Sequence, residues 1–276
     1  MVPDNRTAVA FIGFGEVGQT FARDLLRRDD VAVSAYDRLF GAPAGAGLSA
    51  RASELGVREC ACAADAGAGA SIILSAVTAS EAETVAAAAA AFLRPGQIFL
   101  DVNSAAPTTK QRAARHVESA GAHYVEGAVM QPVLKPGLAV PILAGGPHAE
   151  DTARMMNALG MNLTAVATEF GRASAMKLCR SIVIKGLEAL MVDCAAASEA
   201  LDVKDHVFGS LADTFPSIDW RALAANMRER VATHGIRRSA EMFEAGEMLA
   251  ALGMDPGLAN AVAEAQLRGA RPKGAS

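Results

Sequence analysis

Through the first part of the chain, short apolar runs alternate with stretches whose apolar residues recur at helical spacing. Ala8–Ile12 is such a run. It ends in Gly13-Phe14-Gly15-Glu16-Val17-Gly18, and a helical pattern follows with Val17, Phe21, Leu25 and Leu26 on one face. Val31–Tyr36 predicts a second strand, Arg58–Cys60 a short one and Ser71–Val77 a buried one. Glu81–Phe92 predicts a helix, broken by Pro95-Gly96, and Gln97–Asn103 the next strand. Pro107 opens a helix through Ala120. His123–Val129 and Val140–Ala144 follow as strands, with loop signals at Gln131-Pro132 and Lys135-Pro136-Gly137. Short apolar strands separated by helices predict an α/β fold, a doubly wound and mostly parallel sheet covered on both faces.

The texture changes near Gly171. Ala173–Leu201 reads as one long helix whose only glycine is Gly186. The remainder through Ala270 is helical in pattern, punctuated by Pro216 and Pro256, and Arg271–Ser276 reads as a frayed tail. The division predicted is residues 1–168, an α/β Rossmann domain, and residues 169–276, an all-helical domain. In the latter, Leu187, Leu190, Met191, Val207, Phe208, Leu211, Phe243, Met248 and Leu249 give more apolar surface than one small helical layer buries. That predicts a homodimer through the helical domain.

The strand, glycine turn and helix at the start carry specific chemistry. Gly13 permits the tight turn, Gly15 lets a pyrophosphate approach the backbone, and Gly18 lets the helix pack close to the strand. The helix N-terminus, with Phe14, Glu16 and Val17 around it, offers N–H groups and a partial positive charge to phosphates. Asp37 ends the second strand about where a ribose-binding acid belongs, and favours NAD over NADP. Arg38 follows it and leaves NADP open. The competing reading is a glycine turn in some other βαβ unit. Ala76 and Val77 end a later strand and are placed against the cofactor.

In the long helix, Ser174, Lys177, Arg180 and Ser181 share one face, since they lie at i−3, i, i+3 and i+4. A polar strip with two cations suits an anionic substrate. The bland reading is a solvated helix face. His234-Gly235-Ile236-Arg237-Arg238 is a second cationic cluster, whose bland reading is a helix N-terminal surface with arginine–glutamate pairs.

Composition narrows the classes. A formal net charge of −4 gives no basic footprint for nucleic acid. The mostly alanine stretch near Val85–Leu93 is too short to span a bilayer. No targeting segment is evident, so a cytoplasmic protein is expected. Cys60, Cys62, Cys179 and Cys194 lack paired spacing and read as free thiols. His116, His123, His148 and His206 lack metal-like spacing, so no metal is expected.

The order GFGEVG, DVNSAAP, YVEGAVMQPV and then Gly171…Lys177 resembles the beta-hydroxyacid dehydrogenase family, which includes the 6-phosphogluconate dehydrogenases. The resemblance covers nearly the whole chain. It is nearest to a branch with its own phosphogluconate-dehydrogenase-like C-terminal domain. The resemblance implies NAD or NADP as cofactor, a dimer, a small anionic substrate and Lys177 as general acid/base. A lysine among apolar groups and beside Arg180 should have its ammonium form disfavoured, which suits that role. The resemblance places Asn103 and Ser104 near nicotinamide and substrate, and puts Met130 and Gln131 where the family has a Ser-Gly-Gly loop. It also implies that Arg237 or Arg238, with His234 near it, binds a substrate anion, because the family's corresponding C-terminal region can reach the active site. Arg180 and Ser181 stand where the family commonly has Asn. Ile184 stands where the decarboxylating enzymes carry glutamate. These departures argue against decarboxylation and sugar-phosphate specificity. The resulting reading is an oxidoreductase that interconverts a hydroxylated anion and its carbonyl compound. Its alternatives are an imine reductase of the same fold and a non-catalytic NAD(P)-binding regulatory protein.

Overall fold

The computed structural model describes residues 6–270. The expected frayed tail, 271–276, lies outside the described residues. The first unit runs in order β1 (Thr7–Ile12), α1 (Glu16–Leu25), β2 (Val31–Tyr36), α2 (Ala46–Leu55), β3 (Arg58–Glu59), α3 (Ala63–Gly67), β4 (Ile72–Ser75) and α4 (Ala82–Ala89). It continues with β5 (Ile98–Asp101), α5 (Pro107–Ser119), β6 (His123–Val129), β7 (Pro141–Gly145), α6 (Ala149–Ala158) and β8 (Asn162–Ala167). The strands form one eight-stranded sheet in the order β3-β2-β1-β4-β5-β6-β7-β8. Every neighbouring pair is parallel except β6 and β7. This is a Rossmann-like α/β fold.

Successive side chains on a strand point to opposite faces, and both faces here are covered. Val9, Phe11, Leu74, Leu100 and Val125 enter one apolar layer. Ala10, Ile12, Ile73, Phe99 and Tyr124 enter the other. That explains why these strands read as unbroken apolar runs. The expected helix Glu81–Phe92 instead begins with a 3₁₀ turn at Ala79–Glu81 and is α-helical only over Ala82–Ala89. The helices α2, α3 and α6 and the strand β8 are elements that the hydrophobic pattern did not announce.

A helical region follows: α7 (Arg172–Ala200), α8 (Lys204–Thr214), α9 (Trp220–Ala251) and α10 (Gly257–Gly269). The chain divides into two compact units between Lys177 and Leu178, inside α7, rather than at the expected residue 168. The second unit has its own apolar cluster, with Met191, Phe208, Trp220 and Met227 buried together.

Candidate active site

The turn after β1 shows why Gly13 and Gly18 carry no side chain. Gly13 has φ +92°, and a Cβ there would collide with the Ala76 carbonyl. A Cβ on Gly18 would lie 2.6 Å from the Gly13 carbonyl oxygen, so α1 approaches the turn as closely as a side chain would forbid. Gly15 is the N-cap of α1, and a Cβ there would meet nothing within 4 Å. The room in front of the helix N-terminus is therefore open to an anion. Glu16 is exposed in the first turn and Val17 packs against the core.

Asp37 closes the other side of the turn. The Phe14 N–H donates to its Oδ2 at 2.8 Å and the Leu39 N–H to its Oδ1 at 3.0 Å. Each carboxylate oxygen keeps a further lone pair for a hydroxyl donor. Arg38 is exposed beside it. These residues fit a dinucleotide: an open phosphate cradle at a helix N-terminus, and a fixed acid for the ribose.

Asn103 joins the carboxyl ends of two strands. Its Oδ1 accepts from the Val77 N–H at 2.6 Å, and its Nδ2 donates to Ser75 Oγ at 3.0 Å. Ala76 is tied to β1 through its N–H, which donates to the Ile12 carbonyl at 2.8 Å. Beneath them lies Asp101, fully buried. Lys110 Nζ sits 2.8 Å from Asp101 Oδ1, the Tyr124 hydroxyl donates to Oδ2 at 2.7 Å, and the Asn103 N–H donates to Oδ1 at 2.9 Å. Burial and the adjacent Asp101 carboxylate push the Tyr124 hydroxyl well above its ordinary pKa, so it stays a donor. Sequence reasoning passed over Asp101, Lys110 and Tyr124. The available signal was a carboxylate ending an otherwise apolar strand.

The position of Lys177 follows from the start of α7. Glu126, buried on β6, accepts from the Ala173 N–H at 2.8 Å and the Ser174 hydroxyl at 2.9 Å. A carboxylate at a helix N-terminus satisfies orphan donors and favours the helix dipole. Gly145 makes room for it, since a Cβ there would collide with Glu126 Oε1. One turn further on, half-buried Lys177 donates through Nζ to Ser104 Oγ. Ser174 is thus a buried partner of Glu126, three residues before Lys177. Met130, half-buried at the end of β6, donates its N–H to the Pro141 carbonyl at 3.0 Å, and Gln131 next to it is exposed.

The remaining expected substrate contacts belong to the second unit. Arg180 is exposed. Ser181 is buried and accepts from Lys185 Nζ at 2.8 Å. Arg238 is only 7% exposed, and its Nη1 lies 2.7 and 2.8 Å from the two oxygens of Glu188. Arg237 pairs with Glu241 at 3.1 Å. Arginine–glutamate pairs are present, but not as the expected helix N-terminal surface: the cluster lies within α9, and Arg238 is buried against a carboxylate in its own unit. Burial lowers the pKa of both Lys185 and Arg238, although Glu241 and Glu188 oppose the shift.

Residues 8–167 match the NAD binding domain of 6-phosphogluconate dehydrogenase, and residues 198–268 match a domain of unknown function, DUF1932. A conserved hypothetical protein from Sinorhizobium meliloti 1021 is 40% identical, with 95% of this chain and 87% of that chain covered and a TM-score of 0.82. A conserved protein described as structurally similar to 3-hydroxyacid dehydrogenases is 31% identical, covering 95% of this chain and 99% of that one, with a TM-score of 0.75. The fold alone is shared with 3-hydroxyisobutyrate dehydrogenase from Mycobacterium tuberculosis, at 18% identity, 95% and 93% coverage and a TM-score of 0.78. It is also shared with an imine reductase from Aspergillus terreus. The glycine turn, Asp37 and the polar strand ends around Asn103 are what such a dinucleotide-binding domain requires, and the chain belongs to the 6-phosphogluconate dehydrogenase NAD-binding family.

Proposed function

We propose that the protein is an NAD(P)-dependent oxidoreductase that interconverts a small hydroxylated anion and its carbonyl compound. The observation that carries this reading is the pairing of Lys177 with Ser104, at the carboxyl end of β5 and directly beside Asn103. Ligands of open α/β sheets bind at that edge. The bound nicotinamide supplies the hydride acceptor or donor.

Lys177 handles the proton. In oxidation its neutral amine takes the proton from the substrate hydroxyl, and in reduction its ammonium returns one to the carbonyl oxygen. Ser104 orients the amine. Asn103 holds the Val77 backbone and so shapes the wall on which the nicotinamide would rest. Arg180 is proposed as the cation for the substrate anion, with Met130 and Gln131 lining the entrance in place of a hydroxylated loop. The buried Arg238 and Ser181 support the helical unit instead. Asp37 favours NAD, because its carboxylate accepts from ribose hydroxyls and repels a 2′-phosphate.

Lys177→Ala is expected to lower turnover by about 10²–10⁴. Lys177→Arg is expected to fail as well, because a guanidinium stays protonated. Fluorescence titrations should show unchanged dinucleotide binding in both variants and tighter NADH than NADPH binding in the wild type. Near-normal turnover of Lys177→Ala on a hydroxy acid found by panel screening would remove the mechanism. Because imine reductases share the fold, imines belong in the same panel. Reduction of an imine without turnover of any hydroxy acid would replace this reading.

A homodimer in the cytoplasm completes the proposal. Leu190 and Phe243 are 70% and 46% exposed, whereas Met191, Phe208 and Met248 are buried in their own chain. The exposed set gives an apolar surface for a second copy. Light scattering that gives a particle of 28.4 kDa at micromolar concentration would refute the dimer.

A further inference from the structure

We propose that Glu118, His123 and His148 bind a divalent transition-metal ion of the zinc class at the amino edge of the sheet. His123 is the first residue of β6 and pairs with Ile98, the first residue of β5. The glycine turn and Asn103 lie at the carboxyl ends of parallel strands, so this cluster sits at the opposite edge from the dinucleotide cradle.

The fold itself assembles the three residues. In the antiparallel register of β6 and β7, Glu126 faces Gly145. The same register carried to the start of β6 places His148 opposite His123. Gly146, with φ +116°, turns the chain between β7 and His148. Glu118 comes from the last turn of α5. One ligand atom from each of the three residues lies within 4.8 Å of the others, and all three residues are partly exposed. The imidazole centroids of His123 and His148 are 3.7 Å apart, with the rings tilted by 31°.

The chemistry of the donors selects the ion. Imidazole nitrogens and a carboxylate oxygen suit zinc, nickel or copper better than magnesium or calcium. Two ligands on one zinc at about 2.1 Å can be no more than about 4.2 Å apart, so the side chains need to close by less than about 1 Å. Glu118 Oε1 already accepts from the Tyr124 N–H at 2.7 Å. That bond orients the carboxylate and leaves Oε2 to face the ion. His148 stands at the N-cap of α6 but makes no side-chain cap bond, so its ring is not used for capping. Three protein ligands on a partly exposed surface leave a fourth position to water. Sequence spacing hides such a site, because its ligands come from a helix, a strand and a loop.

The test is zinc chloride titrated calorimetrically into the full-length protein and its variants in a non-chelating buffer. One zinc per chain with micromolar affinity is expected for the wild type. Both His148→Ala and Glu118→Gln should weaken binding about tenfold or more. His116→Ala serves as the control, because His116 stands beside Glu83 at 3.8 Å and not in the cluster. It should bind zinc like the wild type. Metal-free melting curves check that His148→Ala remains folded, and NADH binding should be unchanged throughout. At zinc concentrations about 100-fold above Kd, the wild-type Tm should rise by about 5 °C, and His148→Ala should not share the rise. Zinc binding that is absent from the wild type, equal in His148→Ala, or lost equally in His116→Ala would overturn the proposal. A folded His148→Ala with a loss well under tenfold would also overturn it.

Discussion

In the sheet unit, Asp101 is enclosed by Lys110, the Tyr124 hydroxyl and the Asn103 N–H. In the helical unit, Glu188 collects Arg238, Arg230 and Gln266, while Lys185 faces Glu241 and Ser181. Both clusters bury charge, yet they are satisfied to different degrees. The Asp101 carboxylate has a donor on each oxygen. In the helical cluster Arg238 Nε and Gln266 Oε1 are buried without a hydrogen-bond partner among the described residues. Burial of a polar group is costly unless it is paired, so a complete pair and a partial network should respond in opposite ways to substitution. The comparison also separates position from charge. Asp101 holds the backbone of Asn103, next to the Ser104 that meets Lys177, so it acts on the candidate active site through geometry. The helical network holds α7, α9 and α10 to one another, and it takes up Arg238 and Ser181 in doing so.

The sharpest test of this contrast is Lys110→Met. It removes the cation and leaves a buried carboxylate with only neutral donors. Breaking a buried pair in this way typically costs about 3–5 kcal/mol. Urea unfolding of the full chain followed by circular dichroism should show that loss in the sheet unit's transition. A loss below about 1 kcal/mol would mean that Asp101 does not depend on its cation, and the contrast would fall.

The matching experiment in the helical unit replaces both partners. Lys185→Met combined with Glu241→Leu should leave stability unchanged or raise it by up to about 2 kcal/mol, because an apolar pair of similar volume avoids the desolvation. The pH dependence gives a second reading. Burial holds the Lys185 ammonium below its usual pKa of 10.5. The folded state therefore binds this proton less tightly than the unfolded state does. Stability should rise as the pH climbs from the folded value towards 10.5, since the unfolded chain then carries the extra proton. The wild type should show this alkaline gain in a melting series and the double variant should lack it. A double variant destabilised by several kcal/mol would show that the network is as well matched as the Asp101 pair.

The same contrast explains what the sequence made legible. The sheet strands are covered on both faces, so Ile72–Ser75 and Ile98–Asp101 stand out as apolar runs. The glycine turn was readable because Gly13 and Gly18 answer separate steric demands, explicit as contacts with Ala76 and with the Gly13 carbonyl, while Gly15 leaves the space in front of α1 open. β8 escaped because it is an edge strand, with Asn162, Thr164 and Ala165 exposed, and so lacks a continuous apolar signature. α2 escaped because it buries only Ala52. Ser174, Lys177, Arg180 and Ser181 lie in one helix, α7, but helical spacing does not show which polar groups are already matched. Glu126, 48 residues away on β6, takes Ser174, and that long-range pairing leaves no periodic trace. Lys185 takes Ser181 from one turn further along α7, a pairing at helical spacing that the reading of this helix as largely apolar passed over.

The smallest expected effect lies at the end of α7, where charge is exposed rather than buried. Lys204 and Arg228 donate to Glu199 at 2.5 and 2.9 Å and hold its carboxyl down at about 2, with the Lys204 bond the larger cause. The folded pKa lies below the unfolded one. This contribution is therefore present above the ordinary carboxylate value of 4.5 and is lost as the pH falls from there towards 2. Surface ion pairs are screened by water and salt, so the effect should be slight. Glu199→Gln should melt slightly below the wild type at pH 6 in low salt. The two curves should converge near pH 2, and also at pH 6 in 1 M salt. A gap that survives high salt would show that Glu199 contributes through packing or neutral hydrogen bonds. Exposed and buried charge would then differ less in this protein than the comparison of its two units implies.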